Sequence, residues 1–172
     1  MKLTKIKFIF IRYFILLILV LFNLKIIYTI TTPITIFPVF FILKLFYSPV
    51  FLLNGGLIVF ETSAISLITA CIAGSAYYLL ILLNLSTPMP LKTRIKSISF
   101  VLLAFLALNI IRILVFSMLF ASGFEYFSIT HRFVWYIVST LMVIGIWFSS
   151  IAIFRIKEIP IYTDIQRLIK LF

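Results

Sequence analysis

The sequence has little of what coats a water-facing surface. Only 11% of its 172 residues are charged and 65% are hydrophobic, against about a quarter charged and about half apolar in an ordinary soluble domain. Too little polar material remains to cover a core in water, so a soluble globular fold is excluded and lipid takes the place of solvent. Acidic residues are scarcer still: four against fifteen basic ones, for a net charge of +11. There is one cysteine, Cys71, and one histidine, His131. A single thiol rules out an intrachain disulfide. One His, one Cys and four scattered acids provide no HExxH or paired CxxC spacing, so no metal centre and no cofactor are expected. Glycines are few, and Gly55-Gly56 falls in a turn rather than a phosphate-binding loop.

What the chain has instead is long apolar runs separated by short basic blocks. Lys2, Lys5, Lys7 and Arg12 lie in the first block, Lys92, Arg94 and Lys96 in the middle one, and Arg155, Lys157, Arg167 and Lys170 in the last. A basic protein can bind nucleic acid. Blocks between apolar runs are instead the pattern of cytoplasmic membrane-protein loops, and no nucleic-acid partner is expected.

The first run, 8–30, is too long for a signal-peptide core and lacks a small-residue cleavage site, so it reads as a retained span. The second, 34–46, is short and broken by Pro38 and Lys44, and reads as a half-helix, a re-entrant piece or a short span. Residues 49–60 hold two β-rich stretches joined by Asn54-Gly55, the signature of a tight hairpin with positive φ at both central positions. Such a hairpin belongs at the interface or against helices, because lipid leaves its backbone unpaired. The third run, 63–85, predicts a helix with Ala64, Cys71, Gly74, Ser75 and Tyr78 on one face. Thr87-Pro88-Met89-Pro90 breaks the chain. The fourth run, 98–120, carries Asn109 and Arg112 on one face. A loop over 121–130 holds Gly123 and Glu125, and the fifth run extends from near His131 to near Phe154. Residues 162–172 read as an amphipathic surface segment.

The expected architecture is an all-α polytopic membrane protein of four to five transmembrane helices, with a short β-hairpin before the cysteine helix. It forms one membrane domain over 1–172: N-terminal helices over 1–47, the hairpin over 48–60, a three-helix core over 61–154 and a cytoplasmic basic tail over 155–172. The positive-inside rule places the middle block and the tail in the cytoplasm. The fourth run then travels outward, the fifth returns, and the third descends from an outer start. Cys71 and Arg112 each fall roughly two turns, about 12 Å, below the outer ends of their helices, and His131 opens the fifth on the same side. Glu61 and Glu125 fall in outer loops. One conflict follows: with an inner amino terminus and two full spans before it, the third helix would start inside. Either 34–46 does not fully span, which is the preferred reading, or the amino terminus lies outside.

Each candidate has a plain reading beside a chemical one. A buried cysteine commonly serves as a small apolar residue. An arginine deep in a span costs about 2.5–3.5 kcal/mol on insertion scales; it either snorkels or marks a site facing the bundle interior. A histidine at a helix start is an ordinary polar end residue, or a general base with a pKa near neutral. Together they supply a nucleophile, a base and a cation for a tetrahedral oxyanion, the set a cysteine acyl-transfer enzyme needs.

The segment Ala70-Cys71-Ile72-Ala73-Gly74-Ser75 resembles the cysteine motif of the archaeosortase/exosortase family, and Asn109-Ile110-Ile111-Arg112 resembles its Asn-x-x-Arg. His131, following an outer loop, resembles the family histidine, and the size and lysine-rich character resemble the small pacearchaeosortase type. The usual motif has Ser or Thr directly after Cys and then Gly; here Ile72 and Ala73 intervene before Gly74. The resemblance implies a plasma-membrane cysteine transpeptidase with its active site toward the outer face. Its partners would be exported proteins ending in a short motif, a transmembrane helix and a basic tail. Cys71 would form the acyl-enzyme, Arg112 stabilise charge and His131 act as base and acid, with Asn109, Ser75 and Gly74 in support. The acceptor would be a membrane lipid amine or another nucleophile, anchoring the product at the cell surface. Two alternatives stay open: an intramembrane protease using water as acceptor, and a non-enzymatic scaffold or transporter subunit. In the latter, Arg112 binds an anion or pairs with Glu61 or Glu125. An enzyme needs Cys71, Arg112 and His131 at one point; a scaffold does not.

Overall fold

The structure, a computed structural model, describes residues 10–11, 13–18, 21, 24–53, 55–60 and 63–158. Four stretches are long and apolar enough to cross a membrane: Lys25–Phe46, Thr69–Ser86, Leu91–Ala121 and Phe127–Phe154. Only 22–33% of each apolar window is buried. Large apolar side chains such as Leu103, Ile111, Leu141 and Phe148 are therefore exposed on the flanks, the arrangement that suits a lipid surround.

The first span is one helix, α1 (Lys25–Phe46), with Pro33 and Pro38 inside it. Residues 34–46, expected to fall short of spanning as a separate short run, instead form the second part of this longer helix. Its 22 residues rise about 33 Å, enough for a hydrocarbon core of about 30 Å. Prolines mark breaks in soluble helices but are tolerated in spanning ones. The residues before Lys25 do not continue the helix unbroken, because Leu24 is left-handed at φ 55°. The alternative of an outer amino terminus concerns residues 1–9, which lie outside the described residues, as do Glu61 and the surface segment expected over 162–172.

After α1 comes the expected hairpin, β1 (Val50–Leu53) and β2 (Leu57–Phe60), extended by a further strand, β3 (Ser63–Ser66), into a three-stranded antiparallel sheet in that order. Leu53 pairs with Leu57, so the β1–β2 connection has three residues rather than two, with positive φ at Gly55 and Gly56. Gly56 is also needed for space: a Cβ there would lie 2.9 Å from Ile36 Cδ1. The third strand corrects the expected helix start at residue 63. Ser63-Ala64-Ile65-Ser66 is too short to show a period, and pairing with β2 gives its backbone partners.

The helical run that follows is interrupted. α2 (Thr69–Ile72) is a single turn that ends at Ala73, φ 58° and ψ 41°, and α3 (Gly74–Ser86) continues beyond it. Cys71 thus lies in the first turn of its span, not two turns down. α4 (Leu91–Ala121) starts just after Pro90, seven residues before the apolar run suggested, so Lys92, Arg94 and Lys96 are helical rather than in a loop. Arg94 reaches back to the end of α3, donating to the carbonyls of Asn84 at 2.7 Å, Leu85 at 3.3 Å and Thr87 at 2.8 Å. These are terminal carbonyls that no further turn can satisfy. α5 (Phe127–Phe133) begins four residues before His131, passes through a π turn (Val134–Val138) and continues as α6 (Ser139–Phe154).

Two apolar clusters hold this together. One packs the sheet onto the helices through Leu43, Ile58, Phe60, Leu67, Ile72 and Ile113. The other joins α1, α3, α4 and α6 through Ile27, Tyr77, Leu80, Phe105, Ile146 and Trp147. Near the loop at 87–90, Asn84 Nδ2 donates to Ser97 Oγ at 2.7 Å, and Ser97 and Ser150 share a hydrogen bond of 2.8 Å. This buried thread links α3, α4 and α6, as polar groups do between helices in lipid.

Candidate active site

The break at Ala73 sets the geometry around the cysteine. Cys71 N–H donates to Ile68 O at 2.8 Å and Ala73 N–H closes the single turn on Thr69 O at 3.1 Å. The next helix restarts with Ala76 and Tyr77 N–H both donating to Ala73 O, at 3.0 and 3.3 Å. The Cys71 carbonyl is thereby released from the helical ladder, and two side chains from α4 occupy it. Asn109 Nδ2 donates to it at 3.0 Å and Arg112 Nη2 at 3.3 Å. The three-residue spacing of Asn109 and Arg112 puts them one turn apart on one face, so a single carbonyl receives both.

Arg112 is held from a second side. Its Nη1 donates to Ser139 Oγ at 2.6 Å, and Ser139 Oγ donates to Val134 O at 3.1 Å. That carbonyl lies five residues back, across the π turn. The widened turn therefore places the hydroxyl where the guanidinium can use it, and π turns recur at functional sites. His131 is fixed by aromatics. Its ring stacks on Phe127, centroids 5.5 Å apart at 6°, and meets Phe116 edge-on at 5.1 Å and 75°.

Cys71, Arg112 and His131 line one open cavity of about 280 Å³. Its remaining wall is β3 and the following residues on one side, and Ile113, Phe116, Ser117, Phe120 and Phe127 on the other. A larger cavity of about 450 Å³ lies elsewhere, among Pro88, Thr93, Arg155 and Lys157, and contains none of the three. Among the supporting candidates, Asn109 is fully buried and bonded to the Cys71 carbonyl. Gly74 acts through space: a Cβ there would fall 2.6 Å from the Tyr28 ring, so glycine lets α1 approach the cysteine helix. Ser75 is exposed and does not reach the cavity. Tyr78, expected on the cysteine's face, turns instead to Leu16 O at 3.4 Å.

No family model, curated protein or solved structure matches the chain. The chemistry is therefore read from its own groups. Sequence reasoning missed Ser139, Phe116 and Phe127. Ser139 follows His131 by eight residues, but only the π turn brings it onto Arg112. No group of three or more His, Cys, Asp or Glu is gathered among the described residues. The site thus offers a thiol, an imidazole and a cation whose bonded partners among the described residues are neutral oxygens. These groups suit acyl transfer.

Proposed function

We propose that the protein is a membrane-embedded cysteine transpeptidase that cleaves carboxy-terminal sorting signals of exported proteins and transfers the new carboxyl end to a membrane-borne acceptor, as the archaeosortase/exosortase resemblance implies. The observation that carries this reading is that its only thiol, its only imidazole and the intramembrane guanidinium line one cavity. In the proposed reaction the Cys71 sulfur, its proton passed to His131, attacks the scissile carbonyl. The oxyanion forms beside Arg112. His131 returns the proton to the departing amine as the C–N bond breaks, leaving a thioester on Cys71. An acceptor amine, deprotonated by His131, then attacks the thioester and the thiol is restored. Water in place of the amine makes the same site a protease.

The orientation follows from charge. Lys25, Lys92, Arg94, Lys96, Arg155 and Lys157 lie at the helix ends away from the sheet, against Lys44 and Arg132 at the sheet end, and positive-inside asymmetry puts the more basic end in the cytoplasm. The cavity then opens toward the outer face of the plasma membrane, where exported substrates are. The scaffold reading has Arg112 bind an anion or a structural partner such as Glu61 or Glu125. Its bonded partners among the described residues, which do not include Glu61, are the Cys71 carbonyl and Ser139.

The test is processing of an exported protein from the same cell that carries a short motif, an apolar helix and a basic tail. Cys71→Ala and Arg112→Ala each abolish its cleavage while the variants remain inserted. Normal cleavage by Cys71→Ala ends the enzyme reading.

A further inference from the structure

β3 is one margin of the sheet, and its register determines which backbone groups it leaves free. Leu67 N–H donates to Gly56 O at 3.1 Å, so these two face each other as a hydrogen-bonded pair. Counting back along the register, Ile65 with Ile58 and Ser63 with Phe60 are hydrogen-bonded pairs, while Ala64 with Val59 and Ser66 with Leu57 are not. The N–H and C=O of Ala64 and the N–H of Ser66 therefore point away from β2. The Ser66 carbonyl accepts from Ile68 N–H at 3.1 Å. Among the described residues nothing pairs with β3 on that side, and Ala64, Ile65 and Ser66 line the cavity that holds Cys71, Arg112 and His131.

An unpaired strand margin is a template for another strand, and inside a membrane protein such groups must find partners. This one runs directly to the nucleophile, because Ile68 is still extended (φ −72°, ψ 168°) before the single turn that carries Cys71. A thiol cannot attack a peptide carbonyl sheathed in a helix, so the scissile segment must be extended when it reaches the sulfur. We propose that the segment just before the substrate's apolar helix binds as a fourth strand on β3. Its backbone pairs with Ala64 and Ser66, and the scissile carbonyl is carried to Cys71 Sγ. The inference rests on the acyl-transfer reading and specifies how that site takes its substrate. Because strand side chains alternate between faces, every second substrate residue faces the wall of Ile113, Phe116 and Phe120, and apolar side chains fit there.

The test uses the full-length protein in lipid nanodiscs and a probe, acetyl-Val-Thr-Val-Ala chloromethyl ketone. The Cys71 sulfur bonds to the methylene carbon and chloride leaves. Each labelling rate is divided by the same protein's rate with iodoacetamide. The peptide is expected to label about tenfold faster than this reference predicts for a non-peptidic chloromethyl ketone of similar size. N-methylation of its alternate backbone nitrogens is expected to remove that advantage on the unaltered protein, as loss of one or two backbone hydrogen bonds implies. Ser66→Pro, which removes an outward N–H and none of the N–H groups that bond β3 to β2, is expected to do the same. Equal rates for the plain and both alternately N-methylated peptides overturn the proposal, whether or not the proline variant folds. A peptide advantage without cleavage of signal-bearing proteins keeps the strand site and refutes the enzyme. Cleavage with no peptide advantage does the reverse.

Discussion

Replacing Ala73 by glycine is expected to stabilise the protein, although the same change in a straight helix weakens it. Ala73 is left-handed, with φ 58° and ψ 41°, a conformation that costs an L-residue about 1–2 kcal/mol. Glycine pays none of this, but its freer unfolded chain takes back about 0.4–1 kcal/mol. The net gain is about 0 to 1.6 kcal/mol, centred near 0.8. Were 69–86 one unbroken helix, glycine would instead cost about 1 kcal/mol relative to alanine. The two arrangements therefore differ in sign. Valine sharpens the contrast: a β-branched side chain is a genuine outlier at positive φ, but costs little in a continuous helix. The assay is thermal unfolding of the three proteins in one detergent, where 1 kcal/mol moves the midpoint by about 2–4 °C for a chain of this size. The expected order is glycine highest, then alanine, with valine well below. An order of alanine, valine, glycine would show a continuous helix. The Cys71 carbonyl would then rejoin the ladder, and Asn109 and Arg112 would lose their shared acceptor.

Asn109→Leu removes the 3.0 Å bond to the Cys71 carbonyl at a fully buried position. It is expected to cost about 1–3 kcal/mol of stability, read by the same unfolding assay, and to lower processing. Ser139→Ala deletes the 2.6 Å acceptor of Arg112; a hydrogen bond to a charged group contributes about 1.5–3 kcal/mol, so kcat/KM for the sorting-signal substrate should fall about tenfold or more. Arg112→Lys should process substrate no better than Arg112→Ala, because a single ammonium cannot span the Ser139 hydroxyl and the Cys71 carbonyl as the fork does. Gly74→Ala drives a Cβ into the Tyr28 ring and should destabilise by about 1–3 kcal/mol, and the double variant with Tyr28→Ala should lose less stability than the two single losses summed.

The spans were legible because lipid leaves a coarse signal: about 20 apolar residues in a row are needed whatever their detail. The site was legible for a related reason. A lone guanidinium far inside such a run is expensive unless something needs it, and Arg112 led to the face where Asn109 and the cavity are. What stayed hidden was backbone irregularity. An alanine in the left-handed region has no local signature, so Ala73 read as mid-helix. The residues of the π turn, Val134–Val138, are apolar helix formers in either register, and only the bond from Ser139 to Val134 O records the inserted residue. Ser63–Ser66 is too short for a period of two to show against one of 3.6. The basic residues at 92–96 marked the end of the apolar run, but a helix emerging from lipid continues through its own charged turns, as α4 does.

These irregularities bear on why the arginine is there. An arginine at this depth pairs with an acid, which cancels its charge, or with backbone carbonyls, which do not. Arg112 is held by a carbonyl exposed by one helix break and a hydroxyl positioned by a π turn. Both acceptors are neutral dipoles: they orient the guanidinium and leave its positive charge intact. That charge borders the cavity shared with Cys71 and His131, in surroundings where Phe116, Phe120 and Phe127 thin the water that would screen it. A cation fixed in place, with no counter-ion among the described residues, is the arrangement that the proposed reaction would use to favour an oxyanion over a neutral carbonyl at the same point. The two backbone irregularities supply the acceptors that an acidic partner would otherwise provide, at the cost of about 1–2 kcal/mol for the left-handed alanine. Introducing a carboxylate at the hydroxyl position, Ser139→Asp, separates holding the arginine from using its charge. The ion pair should keep Arg112 in place and the unfolding midpoint at or above that of Ser139→Ala, while cleavage falls below it. Cleavage by Ser139→Asp equal to that of the unaltered protein would mean that Arg112 is only a strut.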